Sequence, residues 1–158
     1  MTIYFLIGLP ASGKTTWAIA KLEYLNLGGK VTAVRVNKDD IRESIGATDG
    51  TQEGQVVRQE IQLVTQALSA GLDVIIDDTN LNPVNENRFR LLSKKFGYEF
   101  KIHSFLHIPL ETCIRRDRIR SHRVGESTIR GMFNKYISST TVKSATPSSR
   151  LLKFPQRS

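Results

Sequence analysis

Cysteine is almost missing from this sequence. Cys113 is the only one in 158 residues, which excludes an internal disulfide and thiolate metal clusters and fits a reducing cytoplasm. Histidine is scarce too: His103, His107 and His122 form no strong ligand set, and the first two fall in an expected strand as packing or surface residues. No apolar run approaches the roughly 20 residues needed to span a bilayer. The N-terminus lacks the basic start and small-residue cleavage site of a secretion signal, so a cytoplasmic protein with no membrane partner is expected. Internal repeats, a coiled-coil pattern and a linker between two domains are also absent, and nothing speaks to oligomeric state. One domain is therefore expected over residues 1–137, with 138–158 as a basic Ser/Thr-rich tail that Leu151, Leu152 and Phe154 could dock onto the core.

Acidic residues are missing from one region only. Residues 101–158 hold 3 Asp/Glu against 12 Lys/Arg, whereas residues 1–100 hold 12 against 11, so the formal charge of +8 comes from the last third. Such asymmetry suits a polyanionic partner, either nucleotide phosphates or a nucleic-acid backbone; a solvated basic surface is the plainer alternative.

Against these absences stands one complete motif. Gly8-Leu9-Pro10-Ala11-Ser12-Gly13-Lys14-Thr15 has the spacing G-x-x-x-x-G-K-[ST] of a phosphate-binding loop. An apolar strand, Ile3 to Ile7, precedes it and a helix from about Gly13 to Leu25 follows, which is the context the motif needs. The glycines let successive backbone N–H groups converge on one oxyanion, and the new helix adds the positive end of its dipole. Lys14 is then in reach of the β- and γ-phosphates, and the Thr15 hydroxyl of Mg²⁺.

The rest alternates strands and helices, which predicts a parallel sheet. Strands are expected over 31–36, 72–80 and 99–107. Asn37 caps a helix over 37–45 in which Asp39 and Arg42, three apart, share a face just past a strand end. A carboxylate and a guanidinium facing one cleft suit an acceptor hydroxyl and a neighbouring phosphate; plain helix capping is the alternative. After a Gly-rich loop over 46–54, a helix over about 55–70 carries Val57, Ile61, Val64 and Leu68 as a core stripe, with no chemistry assigned. The third strand ends in Asp77 and Asp78, where phosphate-loop enzymes often hold Mg²⁺. Asn82 and Pro83 start a helix that buries Phe89, Leu92 and Phe96 and stops at Gly97. A helix over 110–122 places Arg116, Arg120 and Arg123 at i, i+4 and i+7, a row of guanidiniums that an ATP-closing lid would use. Ile129, Phe133 and Ile137 line a last helix over 127–137.

Three stretches together, residues 8–18, Val-Asn-Lys-Asp-Asp-Ile-Arg-Glu-Ser-Ile at 36–45 and Asp-Asp-Thr-Asn-Leu-Asn-Pro at 77–83, resemble the kinase domain of bacteriophage 5′-polynucleotide kinases. The similarity runs from about Ile3 to Tyr136. It implies a P-loop kinase-like three-layer α/β sandwich, a parallel sheet with helices on both faces, using ATP and Mg²⁺ to phosphorylate the 5′-hydroxyl ends of DNA or RNA. The nucleotide is expected on Gly8, Pro10, Ala11, Ser12, Gly13, Lys14, Thr15 and Thr16, with Arg116 and Arg120 over its phosphates. Asp39 looks like the general base, Arg42 the acceptor-phosphate clamp, and Asp78, with Thr79, the support of the acceptor site. Lys14, Asp39 and Arg120 would be the catalytic set, with Arg116 or Arg123 as alternative lid residues, and Thr15 with Asp77 the metal ligands, Asp78 being the alternative. The phosphatase domain of longer relatives has no counterpart, so 3′-phosphate removal is not expected. A kinase of a small hydroxyl compound, such as a sugar or nucleoside derivative, and a non-catalytic nucleotide-binding module are the competing readings.

Overall fold

Alternate residues of the first strand are buried on opposite sides, and that alternation organises the layers. In the computed structural model, which describes residues 1–47 and 49–139, the strands are β1 (Thr2–Ile7), β2 (Ala33–Val36), β3 (Asp73–Ile76) and β4 (Glu99–Ser104). They form one all-parallel sheet in the order β2-β3-β1-β4. Ile3 and Phe5 of β1 point to one face with Val74 and Ile76 of β3, while Leu6 joins Ile75 on the other. The helices are α1 (Lys14–Leu25), α2 (Lys38–Ile45), α3 (Glu53–Ser69), α4 (Pro83–Phe96), α5 (Leu110–Arg118) and α6 (Glu126–Met132), the last running on into a wider π-helical segment, Phe133–Ser138.

Ile41 of α2, Val56 and Val64 of α3 and Phe89 of α4 cover the Ile3/Phe5 face, while Ala18, Leu22 and Leu25 of α1 cover the Leu6 face. A third apolar cluster joins Leu9 of the glycine loop to Cys113 and Ile114 of α5 and Ile129 of α6. The expected three-layer α/β architecture is therefore present. Among the described residues no helix is long and apolar enough to cross a membrane. The 140–158 segment, with Leu151, Leu152 and Phe154, and Thr48 lie outside the described residues.

Helix starts and stops follow the local chemistry. Asn37 Oδ1 accepts the amides of Asp39 and Asp40, Asn82 Oδ1 that of Val84, and Gly97 closes α4. Four expectations change. β3 ends at Ile76, so Asp77 and Asp78 follow the strand instead of closing it. β4 ends at Ser104, because Phe105 donates to the Ile7 carbonyl and then turns, so His107 leaves the strand. α5 ends at Arg118, so Arg116, Arg120 and Arg123 do not form a row on one helix. The buried face of α3 is also rotated from the expected stripe: Val56, Glu60, Val64, Ala67 and Leu68 are buried, and Val57 and Ile61 only half-buried.

Glu60 is 0 % exposed. Lys38 Nζ stands 3.5 Å from Oε2, and neither carboxyl oxygen accepts a hydrogen bond among the described residues. Burial pushes this carboxyl up to about 8, with Lys38 opposing and Asp78 adding to the rise. The folded state thus keeps a proton that the unfolded chain releases near 4.5. Stability contributed by that proton is complete below the unfolded value and is lost as pH rises through the folded one. Glu60→Gln cannot release it. Its Tm relative to the unsubstituted protein is expected to rise between pH 5 and 8, by roughly 5 °C; a difference flat with pH would contradict this.

Candidate active site

Sheet polarity sets the place: the glycine loop and the segments after β2 and β3 all emerge at the carboxyl ends of the strands. The loop is held in a backbone form that few residues adopt. Gly13 at φ 103° starts α1, and Ala11, at φ 59°, is in the left-handed region. A Cβ on Gly8 would lie 2.8 Å from both Phe105 Cβ and Ser12 Oγ. Lys14 folds back into this loop. Its Nζ donates to the Gly8 carbonyl at 3.0 Å, the Leu9 carbonyl at 2.6 Å and Ser12 Oγ at 3.3 Å. Burial lowers the Lys14 pKa to about 8, and Asp77, Cys113 and Asp78 only partly oppose this.

Two clefts open from the loop. The larger, about 840 Å³, is bounded by Ser12 to Trp17, Phe105, His107, Arg116 and Arg120. One wall is aromatic: Trp17 stacks on His103 at 4.2 Å, and Phe105 lies between His103 and His107. Such rings can stack a planar heteroaromatic group. Arg116 Nη1 is 3.5 Å from the Ala11 and Ser12 carbonyls, beside the loop. The smaller cleft, about 390 Å³, brings together Pro10, Lys14, Thr15, Asn37, Lys38, Asp39, Arg42, Glu53, Asp77, Asp78, Thr79 and Arg120. Ala11, Lys14, Thr15 and Arg120 border both. Gly8 and Thr16 belong to the loop and its helix, while Arg123 lines neither cleft.

The acids at the strand ends have different surroundings. Asp77 is buried, and its Oδ2 accepts Arg35 Nε at 2.8 Å. Arg35 also holds Asp40 at 2.7 Å, which turns Asp40 away from the smaller cleft. Asp78 Oδ1 accepts the Lys38 amide at 3.0 Å. Asn37 ties the two stretches, donating from Nδ2 to the Asp77 carbonyl while its Oδ1 caps α2. That stitching presents Asp39, whose side chain is 84 % exposed, to the cleft. Asp39 Oδ1 accepts Arg42 Nη1 at 2.6 Å, and Glu53 grips the same guanidinium at Nε and Nη2, at 3.1 and 2.7 Å.

A hard divalent cation suits this oxygen set. Thr15, Asp77 and Asp78 share the smaller cleft, and Asp77 Oδ1 is buried with no hydrogen-bond partner among the described residues, while the buried Asp78 carboxylate faces the proton held on Glu60. Sequence reasoning missed Glu53, Lys38 and Glu60. Each acts through a residue of another element, and no local pattern marks it. The aromatic wall was missed because His103 and His107, in the expected strand, read as packing or surface residues, and Trp17 reaches His103 from α1.

A protein-family model described as an AAA domain matches residues 3–137. A protein of Autographa californica nuclear polyhedrosis virus, provisionally named a bifunctional polynucleotide kinase/RNA ligase, is 24% identical over 150 residues, with 84% of this chain and 20% of its own length covered. The L-seryl-tRNA(Sec) kinase of Methanococcus maripaludis is 25% identical over 137 residues, with 85% of this chain and 52% of its own covered. The chain thus spans a fifth of the first relative and about half of the second. Of the solved structures, a chain of the Pnkp1/Rnl/Hen1 RNA repair complex aligns with a TM-score of 0.68 and 22% identity, covering 99% of this chain and 52% of that one. The APS kinase CysC of Mycobacterium tuberculosis, in complex with AMPPNP and APS, aligns with a TM-score of 0.60 and 18% identity, covering 99% and 84%. These likenesses establish the P-loop kinase-like fold.

Arg35 is the side chain that balances Asp77. Removing one partner of a buried ion pair leaves the other charge uncompensated, at a cost of about 3 kcal/mol or more. Arg35→Ala is therefore expected to lower thermal stability by that order, and Asp40→Ala, which removes only an exposed contact, by less than about 1 kcal/mol. Equal losses in thermal denaturation would contradict this assignment.

Proposed function

The chain belongs to the AAA-domain family, and from that premise we propose that it is an ATP-dependent polynucleotide 5′-hydroxyl kinase, transferring the γ-phosphate of ATP to the 5′-hydroxyl end of DNA or RNA. One observation carries the reading. Ala11, Lys14, Thr15 and Arg120 form the border of two clefts, one lined by the phosphate loop and aromatic rings, the other by Asp39, Arg42 and Asp78. A phosphoryl group between them would end one ligand and face the next. Phosphoryl transfer needs little beyond such positioning and charge stabilisation.

Each side chain then has a role. The amides from Ser12 to Thr16 and the Lys14 ammonium receive the phosphates, and the Trp17/Phe105/His107 wall receives the base. Arg116 and Arg120 supply positive charge over the phosphates. Asp39 takes the proton of the attacking hydroxyl, Arg42 holds the acceptor's phosphate, and Asp78 and Thr79 floor that cleft. Thr15 with Asp77 or Asp78 would hold Mg²⁺, which when bound offsets phosphate charge. A polymer acceptor is supported by the basic last third and by the names of the viral relative and of the RNA repair complex. A second reading, a kinase of a small hydroxyl compound, is favoured by the acceptor cleft, whose roughly 390 Å³ suits one sugar or nucleotide. A non-catalytic module has no use for Asp39 beside Lys14 and Thr15.

Labelled ATP offered with 5′-hydroxyl oligonucleotides, sugars and nucleosides separates these readings. Label is expected in the oligonucleotides; transfer to small acceptors alone, or to none, would overturn the proposal. Acceptor binding should weaken steeply as salt rises. Asp39→Asn is expected to slow turnover about 10²- to 10⁴-fold with ATP-analogue affinity unchanged, and unchanged turnover would remove Asp39 from the base role. Arg42→Ala should raise KM for the acceptor and leave KM for ATP alone; equal rises for both would count against a clamp.

A further inference from the structure

The loop that carries Arg120 has almost nothing apolar to hold it. Every residue from Ile119 to Val124 is exposed, and Ile119 itself is 85 % exposed. Its anchor is Asp117, which lies in the last turn of α5, is 2 % exposed, and has no role in the chemistry set out above. Oδ1 accepts the Val124 amide at 3.0 Å and Oδ2 the Gly125 amide at 2.9 Å. The Asp117 carbonyl accepts the Arg120 amide at 3.2 Å, and Arg120 Nη1 lies 3.7 Å from Oδ1. One residue thus holds the loop at both ends and touches the guanidinium it carries. A second strap, Arg118 to Glu126 at 2.6 Å, is exposed and contributes little. The two amide bonds are charge-assisted and stand at the start of α6, where the helix dipole favours an anion. Burial alone would raise the Asp117 carboxyl, but these amides, with Arg120 and Arg123, hold it below its ordinary value, so it is ionised at neutral pH.

We propose that Asp117 is the positioning residue for Arg120, fixing the 119–125 loop so that the guanidinium stands on the border between the two clefts. A helix-capping carboxylate would need only the amides of the following helix. This one also stands 3.7 Å from the guanidinium of Arg120, the one residue of the 119–125 loop that lines both clefts. The proposal rests on Arg120 being a phosphate-facing cation, as above.

The test compares Asp117→Asn, Arg120→Ala and the double variant. Asparagine offers one acceptor where two amides now donate, and it carries no charge. Limited trypsin digestion reads the loop without any reaction: Asp117→Asn is expected to speed cleavage after Arg120 and Arg123 about tenfold while other sites keep their rates. Turnover and ATP-analogue affinity read the guanidinium. Asp117→Asn should reproduce most of the loss caused by Arg120→Ala, and the double variant should be no worse than Arg120→Ala, the non-additivity expected of coupled residues. Losses that add in the double variant, or an unchanged cleavage pattern, would overturn the proposal. If Asp117→Asn does not fold, Val124→Pro deletes one amide donor to the carboxylate and is expected to give the same Arg120-coupled loss; an additive loss there would also overturn it. Should the unsubstituted protein phosphorylate nothing, the kinase reading falls, and digestion with ATP-analogue binding still decides the role of Asp117.

Discussion

A buried ammonium ion held by neutral oxygens is the constraint on which the site depends. Lys14 gives its protons to two backbone carbonyls and a hydroxyl of its own loop, so its charge is solvated but not neutralised. Burial lowers its pKa to about 8. A polyphosphate on the loop would supply the missing anion. Arg116 and Arg120 add to the unmet positive charge around this point, and Asp77 and Asp78 offset it from the other side. Glycine at position 8 is part of that arrangement, since a side chain there would run into Phe105 and Ser12.

The parallel sheet turns this local feature into a pair of clefts. Every strand delivers its carboxyl end to one edge, so the segments after β1, β2 and β3 meet there. Hydrogen bonds set their relative positions: the Gly8 amide to the Thr79 carbonyl, Asn80 Nδ2 to the Leu6 carbonyl, Asn37 to the Asp77 carbonyl and Asp78 to the Lys38 amide. The placing of Asp39 opposite the loop is a consequence of these bonds more than of its own contacts. Asp40, one residue on, faces Arg35 and belongs to the structural ion pairs instead.

What could be read in the chain was what is local. The phosphate loop is eight consecutive residues, the Asn37 and Asn82 caps act within three residues, and Gly97 stops a helix by its own backbone. These fixed the strand-loop-helix unit, the layer order and the helix bearing Asp39 and Arg42. The arginine spacing misled because helical periodicity continues through Arg120 and Arg123, whereas the helix stops at Arg118 and Asp117 captures amides further along. The face of α3 misled because a glutamate was not counted as buried. Glu60 takes a core position beside Lys38 and Asp78, which reach it from other elements. Glu53 grips Arg42 across a loop in the same way. Pairings across elements leave no periodicity, and there the sequence is silent.

In the proposed reaction one phosphoryl group, seated on the loop, would lie in line with a hydroxyl facing Asp39. A crystal structure with a non-hydrolysable ATP analogue, Mg²⁺ and a 5′-hydroxyl oligonucleotide tests it most directly. The 5′-oxygen is expected within about 2.6–3.2 Å of an Asp39 carboxylate oxygen, with Arg42 on the adjacent phosphate and Arg120 on the nucleotide phosphates. An oligonucleotide end bound away from the Asp39 cleft, or a nucleotide seated off the glycine loop, would contradict it.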